Sequence, residues 1–232
     1  MVKPSVQSSG LVKSPEKRLP ASKRIRSDGV STRSQIMEAA RRRLCEVGYG
    51  RLNVRDIAAD AGVNHALIGY HFQGKRQLVL AVLDDANKRL LERQTRMYRN
   101  EGSAGQKWQQ ACDFYDEDIA SGYVRLMMEL MAASFNDEAL RREFLPRMLA
   151  WNRVIEDAVA GFVRQYGLDL PVSVQAITAW IVWFWIGVEA SMTLGIPEEQ
   201  GHQREALEAV ATLLRRIEAP ARRATLQSRR RT

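Results

Sequence analysis

The chain has 232 residues, a formal net charge of +8 and 45% hydrophobic residues. This hydrophobic content excludes wholesale disorder, and the two cysteines, Cys45 and Cys112, are too few for a disulfide scaffold and suit a reducing compartment. The first 30 residues are polar and basic, unlike a signal peptide, and the longest apolar run, 176–188, has 13 residues where a membrane span needs about 20. We therefore expect a soluble, cytoplasmic protein with no membrane partner.

The charge is unevenly distributed along the chain. Residues 1–80 carry 15 basic and 6 acidic side chains, residues 81–219 carry 15 and 21, and residues 220–232 add five arginines. A basic end beside an acidic body indicates a polyanionic partner for the N-terminal part. A solubilising tail on an ordinary domain explains the charge alone equally well.

Hydrophobic periodicity predicts an all-α protein, because no stretch shows the strict alternation of a β-strand. Glycine, asparagine and proline residues divide the chain into helices, and Pro146 is expected to kink or split the helix that contains it. The predicted helices span residues 32–47, 53–61, 64–72, 75–98, 106–120, 122–134, 137–165, 172–195 and 203–218.

The segment Val54–Ile68 has the spacing of a helix-turn-helix. Asn53 is placed to cap the first helix, with Asp56 reaching back to it, and Gly62 permits the left-handed conformation of the turn. Small and apolar residues at the helix crossing complete the pattern: Ile57, Ala58, Ala61, Val63 and Ile68. An ordinary helical hairpin would also fit the small residues, but it would not explain the basic flanks.

The run from Asn53 to Val63, followed by Tyr70-His71-Phe72, Lys75 and Leu78, resembles the DNA-binding domain of TetR-family transcriptional regulators. The resemblance covers about residues 32–82. It implies a homodimer that binds a palindromic operator on double-stranded DNA, usually as a repressor released by a small-molecule effector. This chain has Ala66 where the family usually has glycine, and Gly69 where it usually has an aromatic residue. Gly69 costs about 1 kcal/mol of helix stability relative to alanine.

Helix geometry then divides the candidate DNA contacts into two groups. Residues early in the second helix of the motif are placed to meet base edges: His65, Ala66 and Leu67. Residues at helix starts and flanks are phosphate candidates: Asn53, Arg55, Asn64, Tyr70, His71 and Lys75. For His71 the alternative is a packed histidine beside Phe72, and Arg41–Arg43 are interpreted as a solvated helix face. A basic arm (Lys13, Lys17, Arg18, Lys23, Arg24 and Arg26) is placed to follow the duplex, and the arginine tail is expected to be free.

The resulting organisation has four parts: a disordered basic arm (1–30), a helix-turn-helix DNA-binding domain (31–76), an effector-binding and dimerisation bundle (77–219) and a disordered arginine-rich tail (220–232). In TetR-family proteins the last two helices usually form the dimer interface, which implies 172–195 and 203–218 here. On the first of these, Trp180, Phe184, Gly187 and Ser191 share one face, and Val182, Trp185, Glu189 and Met192 share the opposite one. The sequence does not decide which of these two faces forms the dimer interface and which one contacts a ligand.

Aromatic residues and methionines are candidate walls of an effector pocket. The candidates are Trp108, Phe114, Tyr115, Tyr123, Met127, Met128, Met131, Phe135, Trp151 and Trp185, with Glu189 as a counter-charge for a cationic or aromatic effector. Plain core packing is the competing interpretation, and Glu189 could equally form a salt bridge at the dimer seam.

No grouping of residues predicts catalysis, a metal site or a cofactor. The acidic residues Asp113, Asp116, Glu117 and Asp118 are interpreted as a solvated helix face. Two alternatives to a ligand-released repressor are kept: a ligand-independent DNA-binding regulator whose bundle is only a dimer scaffold, and a helical enzyme.

Overall fold

The computed structural model describes residues 21–229, with side chains described for residues 31–219. Within this range the chain forms ten α-helices and no strand, which confirms the all-α prediction. The helices are α1 (Ala21–Arg51), α2 (Val54–Asp60), α3 (Ala66–Phe72), α4 (Lys75–Arg99), α5 (Ala104–Ala120), α6 (Tyr123–Ser134), α7 (Glu138–Tyr166), α8 (Val174–Thr193), α9 (Glu198–Gly201) and α10 (Gln203–Arg229).

The first helix differs from its prediction at both ends. It begins at Ala21 rather than Thr32, so part of the segment expected to be a disordered arm is helical. Alanine, lysine and arginine are strong helix formers, which explains why a basic composition does not prevent this. Gly48 interrupts the helix at φ 75° and ψ 166°, where its end was predicted, and a last turn continues to Arg51. The expected contacts of the arm's side chains lie outside the described residues.

Two prolines lie inside helices without dividing them. Pro146 lies within α7, which runs from Glu138 to Tyr166, so the helix is not split there, and the other expected outcome, a kink, stays a prediction. Pro220 lies within α10, which continues to Arg229 where a disordered tail was expected. Proline removes one backbone donor and need not end a helix whose other hydrogen bonds and packing remain. The short helix α9 had not been predicted.

Helices α1 to α4, together with residues of α6 and α7, form the first hydrophobic core. Its fully buried members include Ile36 and Leu44 of α1, Ile57 of α2, Ile68 of α3 and Leu83 of α4. Burial of such side chains contributes about 1.5–3 kcal/mol each, which holds the short helices α2 and α3 in place.

An ion pair also joins α1 to α2. Arg43 binds both carboxylate oxygens of Asp60, at 2.5 and 2.9 Å, so Arg43 is not simply a solvated residue. Because the two residues are 17 positions apart, helical periodicity gave no sign of this pair.

The first core is continuous with the bundle through α6. The Glu129 carboxylate accepts a hydrogen bond from the Tyr49 amide at 3.1 Å, and Arg41 donates to the Ser121 carbonyl oxygen at 2.6 Å. A Cβ on Gly48 would lie 2.6 Å from a Glu129 oxygen and would displace that carboxylate, and the positive φ of Gly48 also favours glycine. These contacts tie the N-terminal unit to the bundle at a point away from α4.

The second core lies inside the bundle formed by α4 to α8 and α10. Its buried residues include Met97, Tyr115, Trp185, Val188 and Leu207. Trp185 stacks at tilted angles against Trp108 and Tyr115, with ring centroids 5.4 and 5.3 Å apart. The aromatic residues of the bundle therefore form core structure as well as the walls of cavities.

Candidate functional site

The α2–turn–α3 unit is built as the sequence predicts. The Asn53 side chain accepts a hydrogen bond from the Arg55 amide at 3.0 Å and so caps α2, although Asp56 makes no reciprocal bond. Gly62 adopts φ +66° in the turn. The Asn64 side chain accepts from the Ala66 amide at 2.9 Å and thereby fixes the start of α3.

Helix α3 buries one face and exposes the other. Ile68 and Phe72 are 1% and 4% exposed and anchor the helix in the first core, whereas Tyr70 is 81% exposed. Asn64, His65, Ala66 and Gly69 are exposed as well. Leu67 is partly buried and packs against the core, so it is less suited to the base contact expected of it. The exposed side chains form a continuous surface that is free to enter a DNA groove.

The residues that flank this surface differ in how freely they can reach a phosphate. Arg55 is exposed. The Lys75 ammonium lies 4.4 Å from the centre of the Tyr49 ring, and burial lowers the pKa of Lys75. His71 lies between Tyr70 and Phe72, with ring centroids 5.0 and 6.2 Å away, so it is partly packed as the alternative interpretation held.

A cavity of about 70 Å³ lies among α4, α5, α6, α7 and α8. It brings together six of the eleven residues expected to line an effector pocket: Tyr115, Tyr123, Met127, Trp151, Trp185 and Glu189.

The other five candidates do not line this cavity: Trp108, Phe114, Met128, Met131 and Phe135. Met131 packs against the first core. Trp108 lines a separate apolar groove of about 530 Å³ and donates from its indole N–H to the Leu207 carbonyl oxygen at 2.9 Å.

The cavity wall contains two buried polar residues that sequence reasoning missed, Asn87 and Gln94 of α4. The Tyr123 hydroxyl donates to Asn87 Oδ1 at 2.7 Å, and the Trp151 indole N–H donates to Gln94 Oε1 at 2.7 Å. The Asn87 amide nitrogen donates in turn to the Arg147 carbonyl oxygen at 3.3 Å. A signal was present, since Asn87 and Gln94 are two helical turns apart among the apolar residues of one face of α4.

Carboxyl groups in the cavity wall have pKa values shifted towards the protonated form. Burial, with a smaller contribution from the nearby Asp118, raises the pKa of Glu189 to about 8. Burial also raises the pKa of Asp118, against the opposing effect of Arg93, which binds it at 2.6 Å. Asp118 thus faces the cavity, unlike the solvated residue that had been expected.

The outward face of α8 carries exposed aromatic residues. Trp180 and Trp183 are 64% and 59% exposed, and on α10 Leu213 and Ile217 are 58% and 42% exposed. Helix α8 has the length and apolar composition of a membrane span, and a core or interface helix of a soluble protein meets the same two criteria. Trp183 had not been singled out, although it lies one turn from Trp180.

The acidic and sulfur-containing side chains of the described residues form neither a metal-binding cluster nor an activated thiol. Within residues 31–219, no group of three or more histidine, cysteine, aspartate and glutamate side chains could hold a metal ion. Cys45 and Cys112 are free thiols, and burial raises the pKa of each, that of Cys112 to about 11. A high pKa keeps a thiol protonated and weakly nucleophilic at neutral pH.

Comparison with known proteins agrees with this geometry. Residues 36–82 match the family of bacterial regulatory proteins called the tetR family. The HTH-type transcriptional regulator TtgR of Pseudomonas putida is 39% identical over 66 residues, which are 28% of this chain and 31% of TtgR. The chain is therefore matched to only about a third of that relative's length.

The whole fold is shared with solved structures. The transcriptional regulator FadR from Bacillus subtilis, in complex with stearoyl-CoA, superposes with a TM-score of 0.66 at 16% identity and covers 78% of this chain and 96% of FadR. A protein from Saccharomonospora viridis, in complex with choline, gives 0.63 at 20% identity, with 76% and 93% covered. At these identities the likeness concerns the fold, whereas the motif match identifies the N-terminal domain. Residues 36–82 therefore form a domain of the tetR family of bacterial regulatory proteins.

Proposed function

We propose that the chain is a DNA-binding transcriptional regulator, a repressor that binds a palindromic operator as a homodimer and is released by a small-molecule effector. The observation that carries this proposal is the exposed face of α3, in which Asn64, His65 and Tyr70 project beside two anchored residues, Ile68 and Phe72. A helix held this way presents base-reading side chains without rearranging its own core. No catalytic step enters the proposal.

The dimer contact is assigned to the outward faces of α8 and α10. Contiguous exposed apolar surface of this kind marks an interaction site, and Trp180 and Trp183 are both more than half exposed. A two-fold interface pairs the same patch on both subunits, so the exposed apolar face of α8 and α10 on one subunit can pack against the same face of the other. This assignment gives the inward face of α8, with Trp185 and Glu189, to the ligand.

The effector site is assigned to the cavity beside α4. Helix α4 begins at Lys75, directly after α3, and its Asn87 and Gln94 bond to the cavity residues Tyr123 and Trp151. A ligand that displaces either ring therefore acts on the helix that carries the DNA-binding unit. The complexes of two similar folds with stearoyl-CoA and choline support a small-molecule role for such bundles.

The effect of ligand binding reaches the DNA-binding unit through a shift of α4 between two positions relative to α1 and α6. A dimer bound to DNA must hold its two recognition helices about 34–36 Å apart, or a multiple of that spacing. Ligand binding that favours another separation lowers DNA affinity by its differential affinity for the two states. The contacts Tyr49–Glu129 and Arg41–Ser121 hold α1 to the bundle, so movement of the bundle is passed to the DNA-binding unit.

Fluorescence anisotropy with labelled duplexes tests the proposal. The protein is titrated with its own upstream region and with a random-sequence duplex at several salt concentrations. We expect tighter binding to the upstream region, with two subunits per site and an affinity that falls steeply with salt. Absence of binding to any duplex at low salt would contradict DNA binding itself.

The ligand-independent alternative is separated by a second measurement. If no metabolite in a thermal-shift panel stabilises the protein while specific DNA binding is present, the bundle serves as a dimer scaffold only.

A further inference from the structure

Within residues 31–219, one carboxylate of the cavity wall has no hydrogen-bond or ion-pair partner. Glu189 lines the cavity, and no hydrogen bond or ion pair joins its side chain to another described residue. Partly buried and desolvated carboxylates are costly unless they are paired or protonated. The Glu189 carboxylate would therefore be stabilised by a positive charge, which the described residues do not supply.

The two basic side chains nearest the cavity are already engaged. The Arg147 guanidinium binds both oxygens of Asp84 at 2.7 and 2.9 Å. The Arg93 guanidinium binds Asp118 at 2.6 Å and Glu117 at 2.9 Å, and it lies 4.3 Å from the centre of the Phe114 ring. Neither cation is available to Glu189 without breaking a pair that exists.

Three hydrogen-bond donors of the aromatic wall are engaged as well. The Tyr123 hydroxyl and the Trp151 indole N–H are given to Asn87 and Gln94, and the Tyr115 hydroxyl lies 2.9 Å from the Met192 sulfur. These rings offer an entering ligand their π-faces, which attract cations. The wall thus combines carboxyl groups with aromatic faces, a composition that suits a cation and disfavours an anion.

The size of the cavity limits the ligand. A volume of about 70 Å³ has room for several water molecules, since each needs about 10–15 Å³. This space suits a compact head group and is too small for a long chain.

We propose that the cavity binds a compact organic monocation, with Glu189 as its counter-charge and the rings of Trp151, Trp185 and Tyr123 around it. The inference rests on the proposed effector site, because it names the chemistry of the ligand at that cavity. It requires no covalent step.

A charge series of one shape tests the inference on the DNA-free, full-length protein. Choline, its uncharged carbon isostere 3,3-dimethylbutan-1-ol and the anion 3,3-dimethylbutanoate are titrated by isothermal calorimetry at pH 8, with tetramethylammonium as a second cation. We expect the cations to bind at least about tenfold more tightly than the alcohol, a difference of about 1.4 kcal/mol, and the anion to give no heat. Equal binding of cation and alcohol, or no heat from either cation up to about 10 mM, overturns the inference.

The charge of Glu189 is tested with a matched pair of variants. Glu189→Gln keeps the shape and removes the charge, and it should weaken cation binding at least about tenfold while leaving the alcohol unaffected. Glu92→Gln removes an exposed carboxylate of α4 and should change neither. Unchanged cation affinity in Glu189→Gln overturns the inference, and the charge series on the unmodified protein decides the matter if that variant does not fold.

Failure of this inference is distinguishable from failure of the effector proposal. Cation binding that leaves DNA affinity unchanged supports the inference and contradicts effector release by this cavity. Release from DNA by a neutral or anionic metabolite, with no cation bound, overturns the inference and leaves the regulator proposal standing.

Discussion

The Tyr123 hydroxyl donates to Asn87 Oδ1 at 2.7 Å, which joins the wall of the bundle cavity to the helix that carries the DNA-binding unit. Asn87 is 7% exposed, so the bond is shielded from water. The donor of this bond lies on α6 and its acceptor on α4. Helix α6 also contacts α1, because the Glu129 carboxylate accepts a hydrogen bond from the Tyr49 amide. This hydrogen bond thus connects the cavity wall to α4, which directly follows α3, and to α6, which contacts α1.

Tyr123→Phe should destabilise the protein. The variant removes the hydroxyl and leaves the buried Asn87 oxygen without its donor, which costs about 1–3 kcal/mol of the free energy of unfolding. Denaturant titration measures the change. Tyr70→Phe is the matched control, because Tyr70 is 81% exposed and its loss of a hydroxyl should leave stability unchanged. Equal stabilities for both variants would contradict the assigned role of the bond.

Gly69→Ala should stabilise the isolated protein by about 0.5–1 kcal/mol. Gly69 lies within α3, and a Cβ added there meets no atom within 4 Å. Gly62→Ala is the contrasting variant, since Gly62 adopts φ +66° and alanine pays about 1–2 kcal/mol in that region. Thermal unfolding should therefore shift in opposite directions for the two variants, and a shared direction would refute the argument.

Glu189 should make stability fall as pH rises. Its pKa of about 8 in the folded protein lies above the ordinary value of 4.5, so the folded state keeps a proton that the unfolded state has lost. The free energy of unfolding should decrease between about pH 4.5 and 8, by at most about 1.4 kcal/mol per pH unit from this group.

Other groups that face the cavity do not reverse this sign. Burial raises the pKa of Asp118 in the same direction and also raises the pKa values of Tyr115 and Tyr123, while Arg93 and Arg147 are held in ion pairs with other carboxylates. Glu189→Gln should flatten the pH profile measured by denaturant titration, while Glu92→Gln should follow the unmodified protein. A profile unchanged by Glu189→Gln would show that the group is ionised in the folded state.

The double variant Trp180→Glu/Trp183→Glu should convert a dimer to a monomer. Each tryptophan loses its burial against the partner and each glutamate introduces repulsion across a two-fold axis, so the dimer dissociation constant should rise at least about 100-fold. Sedimentation velocity measures the oligomeric state. Leu145→Glu is the control, because Leu145 is 43% exposed on α7, outside the proposed interface. A dimer that survives the double variant would place the interface elsewhere.

The sequence predicted the features that depend on neighbouring residues. Gly62 in the turn, the Asn53 cap and the apolar faces of α2 and α3 all follow from short-range spacing, and the structure contains each of them. Met127 and Met131 lie one turn apart on the same face of α6 and both pack against the first core, but only Met127 also lines the cavity. The sequence alone could not show which of these two methionines lines the cavity, because that depends on the helices packed against α6.

Contacts between distant residues could not be predicted from spacing. The Tyr49–Glu129 bond joins residues 80 positions apart, and the Arg43–Asp60 pair joins residues 17 apart. Likewise, the faces of α8 were identified but not assigned, because which face is buried depends on helices packed against it. The structure turns Val182 and Trp185 inward and leaves Trp180 and Trp183 outward.

Selection of bound sites from a pool of randomised duplexes tests the central claim most directly, because the operator sequence need not be known beforehand. We predict enrichment of an inverted repeat whose half-site centres lie about 10–10.5 base pairs apart or a multiple of that spacing. His65→Ala should relax the preference at one position in each half-site, at a cost of about 1–3 kcal/mol for the preferred sequence. A pool that remains random after selection, at salt concentrations where the protein binds DNA, would contradict sequence-specific regulation by this chain.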